Sequence, residues 1–483
     1  MLFNSINYFL FLSAVFVIYY ILSDRFRWIL LLLASIFFYT IAGAAAILVP
    51  VVIILSTFFC GILIERSSNA GRKKTYFLLG LFVNLGLLIF FKYMNFIIAT
   101  AFDGFNFINH LLRSESTVNH SSIVLQLVVP LGISYITFQA IGYIIEINDG
   151  NSKSEKNLGL FAAYLMFFPK LLSGPIERAH NFIPQLRQKH EFNYDVVVNG
   201  LKRILWGLFL KLVVANRLAL YTDAVFDNFE QHSGITLLVA SVFFTIQLYA
   251  DFAGYTDMAI GSAQILGYRL MENFNSPFMA KSITEFWRRW HISLTSWIYE
   301  YIYNPLAFRF RKFEKMGTIL AVFAVFIIVG LWHGASWTFI IFGLLQGFIL
   351  TVEYLTQRIR EKVKNHVPSW LDTIVGISFT FGYFCFSTIF FKANTATDAF
   401  LIIKKIFLLS GALYIGEWQQ LLYCIAGVIC VVVIEIRSGY LGQSILPSKT
   451  SHWFKDEMAY ALIIVLILLI GVFDGGQFIY FKF

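Results

Sequence analysis

The chain has 483 residues, 58% of them hydrophobic and 13% charged, with a mean hydropathy of +0.71 and a formal net charge of +9. Soluble domains carry about 25% charged residues, so this composition excludes a soluble enzyme and points to an all-α polytopic membrane protein in contact with lipid. Lys and Arg cluster between apolar runs, which assigns the positive balance to basic loops on one membrane face and not to nucleic acid.

The first apolar run, Ile6 to Leu22, lacks a small-residue cleavage site and is expected to be a retained span. Trp28 to Ile64 is long enough for two more spans, reversing near Gly43 to Ala46. The flanking polar segments, Asp24 to Arg27 and Glu65 to Lys74, are both basic. Positive-inside reasoning places them in the cytoplasm and the N-terminus outside. A span from Tyr76 to Ala99 then leads to an outer loop, Phe102 to Ser122, and Val124 to Ile147 returns inward. Leu158 to Leu172 is shorter than the roughly 20 residues of a clean crossing. Pro169, Gly174 and Pro175 break it, so a re-entrant or tilted segment lining a cavity is expected. Loop punctuation explains the prolines but leaves Lys170 without a reason, which makes Lys170 a candidate substrate contact.

Further on, Asp251 and Tyr255 lie one turn apart and Asp257 lies on another face. Carboxylates in an apolar helix need partners, and the arginines of the Trp-rich segment downstream are the expected ones. Direct substrate contact by Asp251 is the alternative. Glu272 to Phe278, which contains Asn275, turns the chain into that segment.

Glu285 to Pro305, wound as one helix, carries two stripes at 3.6 spacing. Trp287, Trp290, Leu294, Trp297 and Tyr301 form the aromatic one, and Thr284, Arg288, His291, Thr295 and Tyr299 the polar one. With Arg288 and Arg289, this suits a helix at a membrane surface. From Met316 to Val352 the only ionisable side chain is His333, either deep in the bilayer or at the turn of a hairpin. An imidazole there is costly unless it faces protein or water, so it is a functional candidate, the alternative being a structural histidine. Gly330 and Gly334 flank it and permit close approach.

Spans resume at Ile374 to Phe391, Leu421 to Ile434 and Met458 to Phe473. The total is about eleven crossings with re-entrant pieces, in a single domain over 1–483. The tail, Gly475 to Phe483, ends in aromatics around Tyr480 and is expected at the outer face, either as an interfacial anchor or tucked into the mouth of a tunnel. The four cysteines fall in apolar stretches and imply neither disulfide nor metal. No nucleophile elbow, zinc-binding helix motif or phosphate-cradling loop is present.

The blocks Phe-Trp-Arg-Arg-Trp-His-Ile-Ser-Leu-Thr-Ser-Trp (286–297) and Gly-Leu-Trp-His-Gly-Ala-Ser-Trp-Thr-Phe (330–339) resemble the membrane-bound O-acyltransferase family, in particular its alginate O-acetyltransferase-like branch. The resemblance implies a many-helix bundle around a tunnel, a catalytic histidine at His333, a second characteristic histidine at His291, and a bacterial cytoplasmic (inner) membrane location. It further implies an extracytoplasmic acyltransferase partner, a cell-envelope or secreted polysaccharide as final acceptor, and a tail in which Tyr480 relays the acyl group.

An imidazole can take the proton of an attacking hydroxyl, so His333 is assigned as general base. His291 is assigned either to orient the donor or to stabilise the oxyanion. The donor expected is acetyl-CoA or another acyl thioester, as a substrate with no bound cofactor, its phosphates attracted by Arg288 and Arg289 on the basic face. Lys170, Asp251 and Asn275 complete the candidate substrate contacts. Two rivals remain: a teichoic-acid-type D-alanyl transferase, and a transporter of polysaccharide or lipid precursor with His333 as a proton relay.

Overall fold

The computed structural model describes residues 1–41, 43–112, 125, 127–172, 174–439 and 453–473, and these are helical, without a strand among the described residues. They pack as two compact units. The first comprises Met1, Ser13–Leu172 and Ile176–His190, and the second Leu2–Leu12, Ser173–Pro175 and Glu191–Phe483.

The first unit takes most of α1 (Ile6–Ile21), then α2 (Asp24–Thr40), α3 (Leu48–Arg66), α4 (Ala70–Leu111), α5 (Ile133–Asn148), α6 (Leu158–Met166) and α7 (Ala179–Arg187). The reversal expected near Gly43 to Ala46 is a 3-10 turn, Ala44–Ile47. Asn69 caps α4 by accepting from the Arg72 N–H. That helix runs on for 42 residues through a wide turn at Ile89–Tyr93, so Phe102 to Leu111 is helical where a loop was expected. Leu158 to Leu172 is broken, as its prolines imply: α6 stops at Met166, Phe167 is non-helical, and a single turn, Phe168–Leu171, follows.

The second unit contains α8 (Tyr194–Phe226), α9 (Gly234–Ile265), the short α10 (Ile283–Arg289) and α11 (Ile292–Ile298), α12 (Glu314–His333), α13 (Trp337–Lys364), α14 (Ser369–Lys392), α15 (Ala396–Leu408), α16 (Trp418–Gly439) and α17 (Trp453–Ile470). Glycines let α8 and α9 touch backbone to backbone, the small-residue packing that membrane helices use in place of hydrophobic collapse. A Cβ on Gly207 would stand 2.5 Å from the Gly254 carbonyl oxygen, and one on Gly261 2.6 Å from that of Gly200. Inside α8 the turn widens at Leu210–Ala215, the segment that carries Lys211.

α12 and α13 form an antiparallel hairpin in which a Cβ on Gly330 would meet the Phe339 carbonyl oxygen at 2.2 Å. The start of α12, after Arg309, Arg311 and Lys312, and the end of α13, with Arg358, Arg360, Lys362 and Lys364, therefore share one basic end. His333 is the last residue of α12 and sits at the opposite end, at the turn of the hairpin.

Eight helices among the described residues are long and apolar enough to cross a membrane, and Ile6–Ile21 and Glu457–Ile470 are shorter apolar helices. The sequence count was about eleven. The protein is a multi-span membrane protein.

Candidate active site

The Trp-rich stretch is not one helix. α10 ends at Arg289, Trp290 is extended (φ −104°, ψ 129°), and His291 adopts the left-handed conformation (φ 46°, ψ 51°) before α11 begins. Two buried carboxylates hold the approach to this break. Glu353 of α13 accepts from the N–H groups of Ile283 (2.7 Å) and Thr284 (3.0 Å) and from the Thr284 hydroxyl (2.7 Å). Glu435 of α16 accepts from the Phe278 N–H (2.9 Å) and the Tyr249 hydroxyl (2.7 Å). Trp287, Trp290, Leu294 and Trp297 of the aromatic stripe are buried and Thr284, Arg288 and Tyr299 of the polar one are exposed, but His291 from the polar stripe is fully buried. The single helix is thus corrected to a broken segment with its aromatic face and His291 buried.

His291 and His333 both contact Trp332, with ring centroids 5.5 Å and 5.1 Å from the indole. Phe252 closes on His291 edge to face at 4.7 Å. The His333 ring meets Phe391 at 4.9 Å and Phe342 at 6.2 Å, and the residue is 3% exposed. Burial pushes the His291 imidazole down to about 3, so the ring is neutral at physiological pH. His291 Nδ1 lies 3.0 Å from Asn273 Oδ1.

Two cavities lie near the two ends of the hairpin that carries His333. One, of about 380 Å³, lies toward the basic end and is lined by Arg288, Thr295, Tyr354, Trp287 and Val329. Val329 is one turn before His333 on α12, and Trp287 contacts Phe342 at 6.5 Å. The other, of about 350 Å³, lies at the hairpin-turn end and is lined by Ser336, Thr338, Phe391, Lys392, Asn216 and Asp251. Its wall is the same Phe391 ring that touches His333. His333 lines neither cavity itself: its ring touches Phe391 in the wall of the polar one, and its helix reaches the mostly apolar one at Val329.

The other sequence candidates are dispersed. Asp251 is buried, and its partner is Lys211 at 2.6 Å in place of the expected arginine. Lys211 is the nearer cation because α8, not the Trp-rich segment, packs along that face of α9. Arg203 of α8 pairs with Asp257 at 2.8 Å. Arg289 pairs with Glu285 at 2.8 Å and donates to the Asn275 and Ser276 carbonyls. Asn275 is exposed and donates its N–H to the Arg289 carbonyl at 2.9 Å, which assigns it to the turn. Arg288 is exposed at the 380 Å³ cavity. Lys170 is buried in the first unit, donating to Gln139 and lying over the Tyr164 ring at 4.0 Å; burial pushes its ammonium downward. Tyr480 lies outside the described residues. Residues that the sequence reading passed over are Asn273, Glu353, Glu435 and Lys211. Their one available signal was a polar side chain inside or beside an apolar helix.

The chain matches the model of the MBOAT, membrane-bound O-acyltransferase family, over residues 157–393. It is 32% identical over 417 residues to the "Probable alginate O-acetylase AlgI" of Pseudomonas aeruginosa, covering 86% of this chain and 75% of that protein. It is 30% identical over 470 residues to the peptidoglycan O-acetyltransferase of Helicobacter pylori, covering 88% and 86%. The teichoic acid D-alanyltransferase of Bacillus subtilis is 31% identical over 272 residues, covering 55% of this chain and 69% of that protein. Both blocks around His291 and His333 fall within the family match, and the chain belongs to the membrane-bound O-acyltransferase family.

Proposed function

We propose that this protein moves an acyl group, in the first instance acetyl, from a cytoplasmic thioester such as acetyl-CoA to a hydroxyl at the opposite membrane face, for O-acetylation of a cell-envelope or secreted polysaccharide. The observation that carries this reading is that the His333 ring touches Phe391 in the wall of the polar cavity at the hairpin turn, while Val329, one turn earlier on the same helix, lines the arginine-edged cavity toward the basic end. Thioester phosphates are drawn to the basic end, where Arg288 stands. His333 takes the proton of the attacking hydroxyl as the new C–O bond forms, and returns it to the departing thiolate as the C–S bond breaks. The two acetylating relatives described above align over 86% and 88% of this chain against 55% for the D-alanyltransferase, which favours acetyl over D-alanyl transfer.

The first hydroxyl acylated is that of Tyr480, which then hands the group to an extracytoplasmic acyltransferase partner. Support comes from the residues just before the tail. The Val472 N–H donates to the Leu212 carbonyl (3.0 Å) and its carbonyl accepts from Asn216 Nδ2 (2.7 Å), and Asn216 lines the polar cavity. The residues from there to Tyr480 span at most about 3.5 Å each, enough to reach into it.

The test supplies membranes with radiolabelled acetyl-CoA and measures hydroxylamine-releasable ester on protein or glycan. His333→Ala is expected to abolish labelling without changing membrane yield. Labelling above about a tenth of the wild-type rate would make the imidazole structural. No label from wild type, together with loss of glycan export in a deletion strain, would favour transport.

A further inference from the structure

Asn273 decides which nitrogen of His291 carries the proton. Its fully buried side-chain oxygen accepts from the Ser293 N–H at 3.2 Å and the Ser293 hydroxyl at 2.9 Å, and it lies 3.0 Å from His291 Nδ1. A backbone N–H can only donate, so the amide atom that faces Ser293 must be the oxygen and the side chain cannot be turned over. An amide oxygen can only accept, so Nδ1 of His291 must be the protonated nitrogen.

The backbone fixes the same arrangement. The Ile292 N–H donates to the Asn273 carbonyl at 2.9 Å, which pins the left-handed turn at His291 against the 273 segment. Phe252 and Trp332 hold the ring between them. His291 Nε2 is left buried and without a hydrogen-bond partner among the described residues. An unpartnered buried nitrogen is costly unless something arrives to meet it. Of the charged groups on the packed elements, Asp257 is committed to Arg203, Asp251 to Lys211 and Arg289 to Glu285, while Arg288 is exposed at the 380 Å³ cavity. The His333 ring lies 5.1 Å from that of Trp332.

We infer that Asn273 is a positioning residue that holds His291 as the Nδ1–H tautomer, so that its Nε2 accepts a hydrogen bond from an O–H or N–H group of the bound substrates. The alternative role, donation to a developing oxyanion, requires a proton on Nε2 that this tautomer does not have. The identity of the group that arrives rests on the acyl-transfer reading above, whereas the tautomer does not.

Two measurements test this. In protein labelled with 15N-histidine in nanodiscs, the difference between wild type and His291→Gln isolates the His291 nitrogen signals. A protonated Nδ1 and an unprotonated Nε2 are expected, and a protonated Nε2 overturns the inference whatever the activity. Asn273→Asp keeps an acceptor for both Ser293 donors but adds a negative charge that favours the imidazolium. Its acylation is expected to fall about tenfold for each pH unit below the raised His291 pKa and to recover at alkaline pH. Asn273→Ala should lose activity equally across the same range. An Asn273→Asp profile parallel to wild type would reduce Asn273 to a packing residue.

Discussion

Lys211 Nζ of α8 stands 2.6 Å from Asp251 Oδ1 of α9, with neither side chain more than 4% exposed. Both residues line the polar cavity beside His333, so the pair is at once scaffold and wall. Removing one partner leaves the other charge buried and uncompensated, a cost of about 3–5 kcal/mol. Asp251→Asn is therefore expected to lower the unfolding midpoint in detergent sharply. The double variant Lys211→Met, Asp251→Leu should recover most of that loss. A single variant as stable as wild type would show that the pair is solvated.

Glu353 gathers three donors from the first turn of α10. Glu353→Ala strands two backbone N–H groups and is expected to cost about 1.5–3 kcal/mol. Acylation should fall more than the stability loss explains, because α10 leads directly into the break that carries His291. Glu353→Gln, which retains an acceptor oxygen, should keep intermediate activity. Equal activity in all three proteins at a temperature where all are folded would separate α10 from the chemistry.

Topology is open to thiol labelling, since Cys60, Cys385 and Cys424 are buried and Cys430 is half-buried. In intact cells a cysteine at Arg72 or Arg360 should be shielded from an impermeant reagent, and one at Asn119, outside the described residues, should react. The opposite pattern would move the thioester donor to the wrong face.

Tyr480→Phe keeps the ring and removes the hydroxyl. Acyl transfer to polysaccharide is expected to drop to background while membrane yield is unchanged, and the hydroxylamine-labile label on the protein itself should vanish. Normal polysaccharide acylation by this variant would leave Tyr480 as an anchor.

Hydropathy, basic loops and the isolation of His333 are properties of the covalent chain; they sufficed for the membrane class and the helical fold and singled out His333 as a candidate, whereas His291 was singled out by the family resemblance of its block. A bilayer imposes helix wherever apolar residues run for about 20 positions, so local pattern and global fold agree there. The break at Trp290 and His291 was not legible, because the 3.6-residue periodicity continues unaltered on both sides of it. A left-handed histidine is held by groups distant in sequence, chiefly Asn273, and by the helix ends that Glu353 and Glu435 fix. The partner of Asp251 was equally hidden. Any of several cations could have met that carboxylate, and the glycine contacts that press α8 against α9 selected Lys211. Sequence supplied the reactive groups; tertiary packing decided their partners, and through Asn273 the tautomer, because hydrogen-bond direction depends on which donor faces which acceptor in space.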